Sequence, residues 1–187
     1  MAILFWGPVL IVLIYAVFIY NSLVQIKHNV AKAWSNIDVL LKQRHDELPK
    51  LIETCKQYKQ FEQDTLRQVT EARSRVQQAG AMGDIAALGL AEGALRSGLG
   101  QIFAVVEAYP ELRANEHFAQ LMSRITGLED AIADRRELYN EHVNINNARI
   151  EQFPDVFIAH LFSFSAKPLL TFSAAEKKDV DVKALFG

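Results

Sequence analysis

A single cysteine, Cys55, occurs in 187 residues. An intramolecular disulfide is therefore impossible, and no CxxC metal or redox site exists. The five histidines, at 28, 45, 117, 142 and 160, form neither HExxH nor ExxH, so a helical zinc or di-iron site has no support. GxSxG, the GxxxxGK phosphate loop and GxGxxG are all missing, which removes the usual signatures of a nucleophile elbow and of nucleotide binding. A basic excess is also lacking. Lys plus Arg number 20 against 22 Asp plus Glu, net −2, which argues against general nucleic-acid binding. No period-2 run of strand type appears. These absences lead us to expect no enzyme, no cofactor, no metal and no nucleic-acid partner.

The largest absence is of charge at the start. No charged side chain precedes Lys27, and residues 1–20 are apolar except for Gly7 and Pro8. Twenty such residues form a helix of roughly 30 Å, enough to cross a bilayer core. A cleaved signal peptide would need a basic start and a small-residue exit. Here the exit reads Ile19-Tyr20-Asn21-Ser22-Leu23, so an uncleaved anchor is expected. Trp6 and Tyr20 fall near opposite ends, where amphipathic rings suit the interfaces. Lys27 and Lys32 follow the span, which predicts a single-pass protein, N-terminus outside and C-terminal domain cytoplasmic. Residues 21–60 carry net +3, beside the anionic headgroups that would favour them.

From Leu23 the apolar spacing is 3 and 4. Leu23, Ile26, Val30, Ala33, Ile37 and Leu40 form one stripe, with Trp34, Leu41, Leu48 and Cys55 beside it. The register survives Pro49, so a kinked helix is expected there rather than a turn. Leu66, Val69, Ala72 and Val76 mark a second helix, and Gly80 to Asp84 reads as a turn. Leu95, Leu99, Ile102, Val106 and Tyr109 mark a third, ended by Pro110. Gly89-x-x-x-Gly93 within it suggests close packing on a neighbouring helix. Asn115 caps a fourth, about 115–152, with Phe118, Leu121, Ile125, Leu128, Ile132 and Tyr139 on its seam. Its seam then turns polar through Arg135, His142, Asn146 and Arg149.

The last 35 residues hold six of eleven phenylalanines: Phe153, Phe157, Phe162, Phe164, Phe172 and Phe186. Such a tail must dock on the bundle, on another copy or on the membrane. Phe157, Phe162, Phe164 and Phe172 are the candidate interface. Val156 to Phe164 is a candidate short helix. The expectation is an all-α fold: a transmembrane anchor at 1–20, continuing into a long-helix antiparallel bundle at 21–152, then a tail at 153–187.

Arg44 falls on the seam between Ile37 and Leu51. One reading is a buried ion pair with Glu107, Glu137 or Glu141; the other is a guanidinium that reaches water over its own stem. We expect the pair. Arg73, Arg135, Arg136 and Arg149 pose the same question. Tyr139, Asn140, Asn144, Asn146 and Asn147 either line a polar groove or, more often for such residues, bond across helices. His142 fits that network better than a metal site. Cys55 reads as a small buried hydrophobe.

Several short segments then combine. They are Ala33-Trp34-Ser35-Asn36-Ile37-Asp38-Val39, Gln43-Arg44-His45-Asp46-Glu47-Leu48-Pro49, Thr65-Leu66 through Val69 to Ala72-Arg73, Val106-Glu107-Ala108-Tyr109-Pro110-Glu111-Leu112, and Arg136-Glu137-Leu138-Tyr139-Asn140 with Val143, Asn147 and Phe153-Pro154. In this order the chain resembles the LemA family of bacterial membrane-anchored helical proteins. The resemblance implies an N-terminal transmembrane helix, a helical bundle and no established catalytic activity. It marks Trp34, Asp38, Arg44, Asp46, Pro49, Arg73, Glu107, Tyr109, Pro110, Arg136, Tyr139, Asn140 and Pro154 as structural motif residues. Relatives include a protein needed to form magnetosome membranes, and others sit beside membrane zinc proteases or envelope-stress genes. The chain departs from the family where Asn146-Asn147 replaces a second Tyr-Asn pair, where His45 replaces an aromatic, and beyond Phe172, where nothing matches. The leading expectation is a non-enzymatic, homo-oligomeric membrane scaffold that contacts lipids. An adaptor for a membrane partner such as a zinc protease is the alternative, and a lipid-binding or remodelling protein is the third.

Overall fold

The structure, a computed structural model, describes residues 2–58 and 61–172, with side chains from Trp6 onward. Its helices are α1 (Ala2–Lys56), α2 (Gln63–Met82), α3 (Ile85–Val106), α4 (Pro110–Arg113), α5 (Glu116–Glu151) and α6 (Asp155–Leu161). No strand occurs among the described residues, and the fold is the expected all-α antiparallel bundle with a long apolar helix at its start. Phe186 and the rest of the tail beyond Phe172 lie outside the described residues.

α1 runs without a break from the apolar segment through Pro49 to Lys56. Trp6, Val9 to Tyr15, Val17 and Phe18 are exposed all round the helix. A helix apolar on every side has no stable place in water, and this one is long enough to cross a membrane. After Tyr20 only one face stays apolar, and Leu23, Val30, Ala33, Ile37, Leu41, Leu48, Leu51 and Cys55 are buried on it. Burial of each larger side chain contributes roughly 1.5–3 kcal/mol.

By compactness the chain divides into two units, with boundaries that differ from the three sequence segments. The first takes α1 as far as Val39, together with Asp134–Leu169. Its apolar contacts include Ile19, Leu23 and Ala159, with Ile150, Ile158 and Phe164 packed around them. The Trp34 and Tyr139 rings lie 5.6 Å apart. Arg149 Nη2 stands 2.6 Å from the Asp155 carboxylate and 3.4 Å from Ser22 Oγ, so α5, α6 and α1 meet at one charged point.

The second unit runs from Leu40 to Ala133 and resumes at Leu170. Its α2 and α3 form a hairpin. The expected turn at 80–84 is shorter than its glycines suggested: α2 continues through Gly80 to Met82. The reversal falls on Gly83, held at φ +67° where glycine is favoured, and on Asp84, whose carboxylate accepts the Ala87 N–H at 2.9 Å. Asn115 caps α5 as expected, its Oδ1 accepting the Phe118 N–H at 3.0 Å.

The small residues of α3 serve two partners. A Cβ at Gly98 would lie 2.8 Å from Val69 Cγ2 of α2, so the close helix packing expected at Gly89 and Gly93 falls on Gly98. Gly89 and Gly93 instead admit an extended strap. A Cβ there would stand 2.1 Å from the carbonyl oxygens of Thr171 and Phe172, so only glycine allows this backbone approach. Leu170 and Phe172 are buried beside it. Phe172 is thus packed inside its own chain and offers no surface for an interface.

Candidate functional site

Arg44 is the polar centre of the second unit. Its side chain is 1 % exposed, and so is that of Glu92, whose carboxylate oxygens both lie 2.5 Å from Arg44 Nη2. Arg44 Nη1 donates to Glu129 of α5. The expected buried ion pair is present, but its partners are not Glu107, Glu137 or Glu141. Glu107 is exposed and stands 3.6 Å from Arg113, while Glu137 and Glu141 are exposed on α5. The signal for Glu92 was available: it is the only charged residue in α3 before Arg96, within an Ala, Gly and Leu run.

The triad carries two acids on one base. Burial pushes the Glu92 carboxyl above the usual range, and Arg44 opposes that shift. Burial alone would lower the Arg44 guanidinium, yet the charges and hydrogen bonds of Glu92 and Glu129 hold it above its ordinary value. Nearby, buried Glu47 accepts from Arg124 Nη2 at 2.5 Å and from Lys50 at 3.2 Å.

A second constellation explains why proline and arginine accompany each other. Pro49 has no N–H, so the carbonyl of His45, four residues earlier, loses its partner within α1. Arg73 of α2 supplies one: its Nε donates to His45 O at 3.1 Å, and its Nη2 lies 2.7 Å from His45 Nε2. The ring nitrogen must accept, so His45 is neutral here. Burial first, and the Arg73 charge second, lower its pKa below 6.5.

The first unit clamps an extended segment with neutral groups. Asn147 bonds Lys167 twice, donating to its carbonyl at 2.9 Å and accepting its N–H at 2.8 Å. Asn146 donates to Ser165 O at 3.2 Å, and the Tyr139 hydroxyl to Pro168 O at 3.1 Å. Asn146 and Asn147 therefore bond across the fold, and Asn146 also lines a cavity beside α6. The departure at Asn146-Asn147 has a structural role of its own, which the sequence pattern did not reveal. His142 is half-buried and joins none of these bonds, and Arg135 points to solvent although its spacing put it on the seam.

Of the remaining motif residues, Tyr109 packs its ring 5.6 Å from Phe61, and Pro110 opens α4. Asp38 and Asp46 are exposed, Arg136, Asn140 and Pro154 half-buried. Cys55 is fully buried, its thiol pushed up to about 12 by desolvation. Phe162 and Phe164 bracket Tyr20 at 4.7 and 6.0 Å, and Phe157 is exposed. Among the described residues no group of three His, Cys, Asp or Glu side chains is placed to hold a metal. The charged centres are filled by the chain's own counter-ions.

The model of the LemA family matches residues 33–184. The chain belongs to the LemA family. The match reaches past Phe172, farther than the short motifs did. A LemA protein of Metamycoplasma hominis is 27 % identical, with 88 % of this chain and 74 % of that protein covered. Magnetosome protein MamQ 2 of Paramagnetospirillum magneticum is 26 % identical over 78 % of this chain and 62 % of its own length. Magnetosome protein MamQ of Magnetospirillum gryphiswaldense is 24 % identical with the same coverage. The chain thus spans less than two thirds of the magnetosome relatives. Family membership and the exposed apolar length of α1 mark this LemA protein as membrane-associated.

Proposed function

We propose that the protein is a non-enzymatic, self-assembling scaffold, anchored in the bacterial inner membrane by α1 and organising or remodelling that membrane. The observation that carries this reading is the unbroken α1. Its first part exposes apolar side chains on every side, and its later part supplies one wall of a buried core. One continuous helix thus contributes both the apolar run and a buried face of the bundle. Lys27 and Lys32, both exposed just after the apolar run, support a cytoplasmic bundle with the N-terminus outside. The polar centres support an architectural role, since their charges are paired within the chain. The relatives named magnetosome proteins support a role in membrane organisation.

The test is cross-linking in native membranes, followed by mass measurement in mild detergent. The expected species contains two or more copies. Monomers alone would overturn self-assembly, and one stoichiometric foreign partner without self-association would replace the scaffold with an adaptor.

A further inference from the structure

The end of the apolar run is not bare. α6 packs on it through Ala159, which shares a core with Ile19 and Leu23, so α6 sits at the level where the anchor leaves the bilayer. Its two sides differ sharply. Asp155 and Ala159 face inward and are buried. Phe157 and Leu161, four residues apart on the other side, are 65 and 73 % exposed, and Phe153 just before the helix is 81 % exposed. In water this stripe is a liability; beside the apolar run of α1 it continues the same lipid-facing surface.

Next to α6 lies a cavity of about 460 Å³. Lys27 and His28 reach it from α1, Lys167 and Ser163 from the segment after α6, and Tyr20 and Phe162 form its apolar wall. Among the described residues no acidic side chain lines it. Asp155, the nearby acid, is already held by Arg149. Ser163, at φ +57°, stands in the left-handed region that favours glycine, a costly conformation retained at the cavity's edge. The Asn147 clamp holds the backbone of Lys167 beside the cavity that this residue lines. Lys27 is seven residues past Tyr20, about 10 Å along the helix, the depth of the phosphate layer and its edge.

We propose that this cavity binds the phosphate headgroup of one anionic phospholipid, with the α6 stripe lying in the acyl-chain layer of the same leaflet. The lysines and His28 take the phosphate, and the Tyr20 and Phe162 rings take the glycerol and first methylenes. The proposal rests on the reading of α1 as a membrane anchor and goes beyond it by naming a lipid class and a site.

The full chain is reconstituted in nanodiscs of phosphatidylcholine with 30 mol % phosphatidylglycerol, as an experimental composition, and retained lipid is read by native mass spectrometry. Preferential retention of one phosphatidylglycerol per chain is expected, falling about fivefold for each of Lys27→Gln and Lys167→Gln. Both side chains are exposed, so the fold should tolerate these changes. A fluorophore at Phe157→Cys should be quenched by nitroxide on lipid acyl chains. Incorporation without anionic preference, or without loss in the lysine variants, overturns the site while leaving the anchor standing. Displacement of the lipid by millimolar inorganic phosphate would make the cavity a free-phosphate site and overturn the lipid assignment. Failure to incorporate into discs of either lipid overturns the anchor and the site together.

Discussion

Around α1 residues 19–37, the polar side chains that hold the fold are mostly neutral. Asn146, Asn147 and Tyr139 bind backbone carbonyls and an N–H of the segment 165–168. Between residues 40 and 133 the corresponding groups are charged, with buried Arg44 between buried Glu92 and partly buried Glu129. Neutral bonds to backbone can be remade with water when they open, so they suit a segment that is held but exchangeable. A buried charge has no such alternative, because its partner's loss leaves it desolvated and unpaired. The difference predicts that the second unit tolerates few changes of register, while the segment 165–168 of the first opens more readily. Arg149 with Asp155 is the charged exception in the first unit, and its arginine is one-third exposed.

The contrast can be broken most severely at Arg44. Arg44→Ala strands two acids in the core, and a loss of about 3–5 kcal/mol is expected in denaturant unfolding of the detergent-solubilised chain. Replacing all three members by Met or Leu should recover most of that loss. If Arg44→Ala alone melts like the parent protein, the triad is not what holds this unit.

A smaller effect is expected at Arg73. Removing it leaves the His45 carbonyl unpartnered, which costs about 1–2 kcal/mol. Pro49→Ala restores the missing N–H, so Arg73→Ala should cost less in that background. Strictly additive losses in a double-mutant cycle would disprove the coupling.

On the neutral side, Asn147→Ala should cost about 1 kcal/mol, because its two bonds to Lys167 are solvent-accessible. Amide exchange at Lys167 should accelerate severalfold while amides of α2 and α3 stay unchanged. Equal acceleration in both units would erase the proposed difference between them.

The mildest probe is pH. His45 has a folded pKa below its unfolded value of 6.5, so the unfolded chain binds the proton first. Its contribution to stability is therefore present above pH 6.5 and is lost as pH falls from there through the lowered folded value. His45→Gln should flatten that part of the stability profile, and an unchanged slope would show that the ring is not the titrating group.

Much of this architecture was legible in one dimension. The apolar run before Lys27 and the 3-and-4 spacing after it specify helices and their buried faces, because helix periodicity follows from backbone geometry and needs no partner. Asn115 as a cap depends on bonds within a few residues, and it was readable for the same reason. Passage through Pro49 was readable as well, since the stripe keeps its register on both sides of the proline.

Pairing across helices was a different matter. Arg44 was recognisable as a seam residue, but Glu92, Glu107, Glu129, Glu137 and Glu141 are equivalent to a periodicity argument. Only packing decides which two lose water beside it. Gly89 and Gly93 announce close approach without saying to what, and the answer is an extended strap some 80 residues later in the chain. The sequence determined the helices and which apolar faces leave water. The tertiary structure decided whom they meet, because long-range contacts depend on the three-dimensional path of the chain.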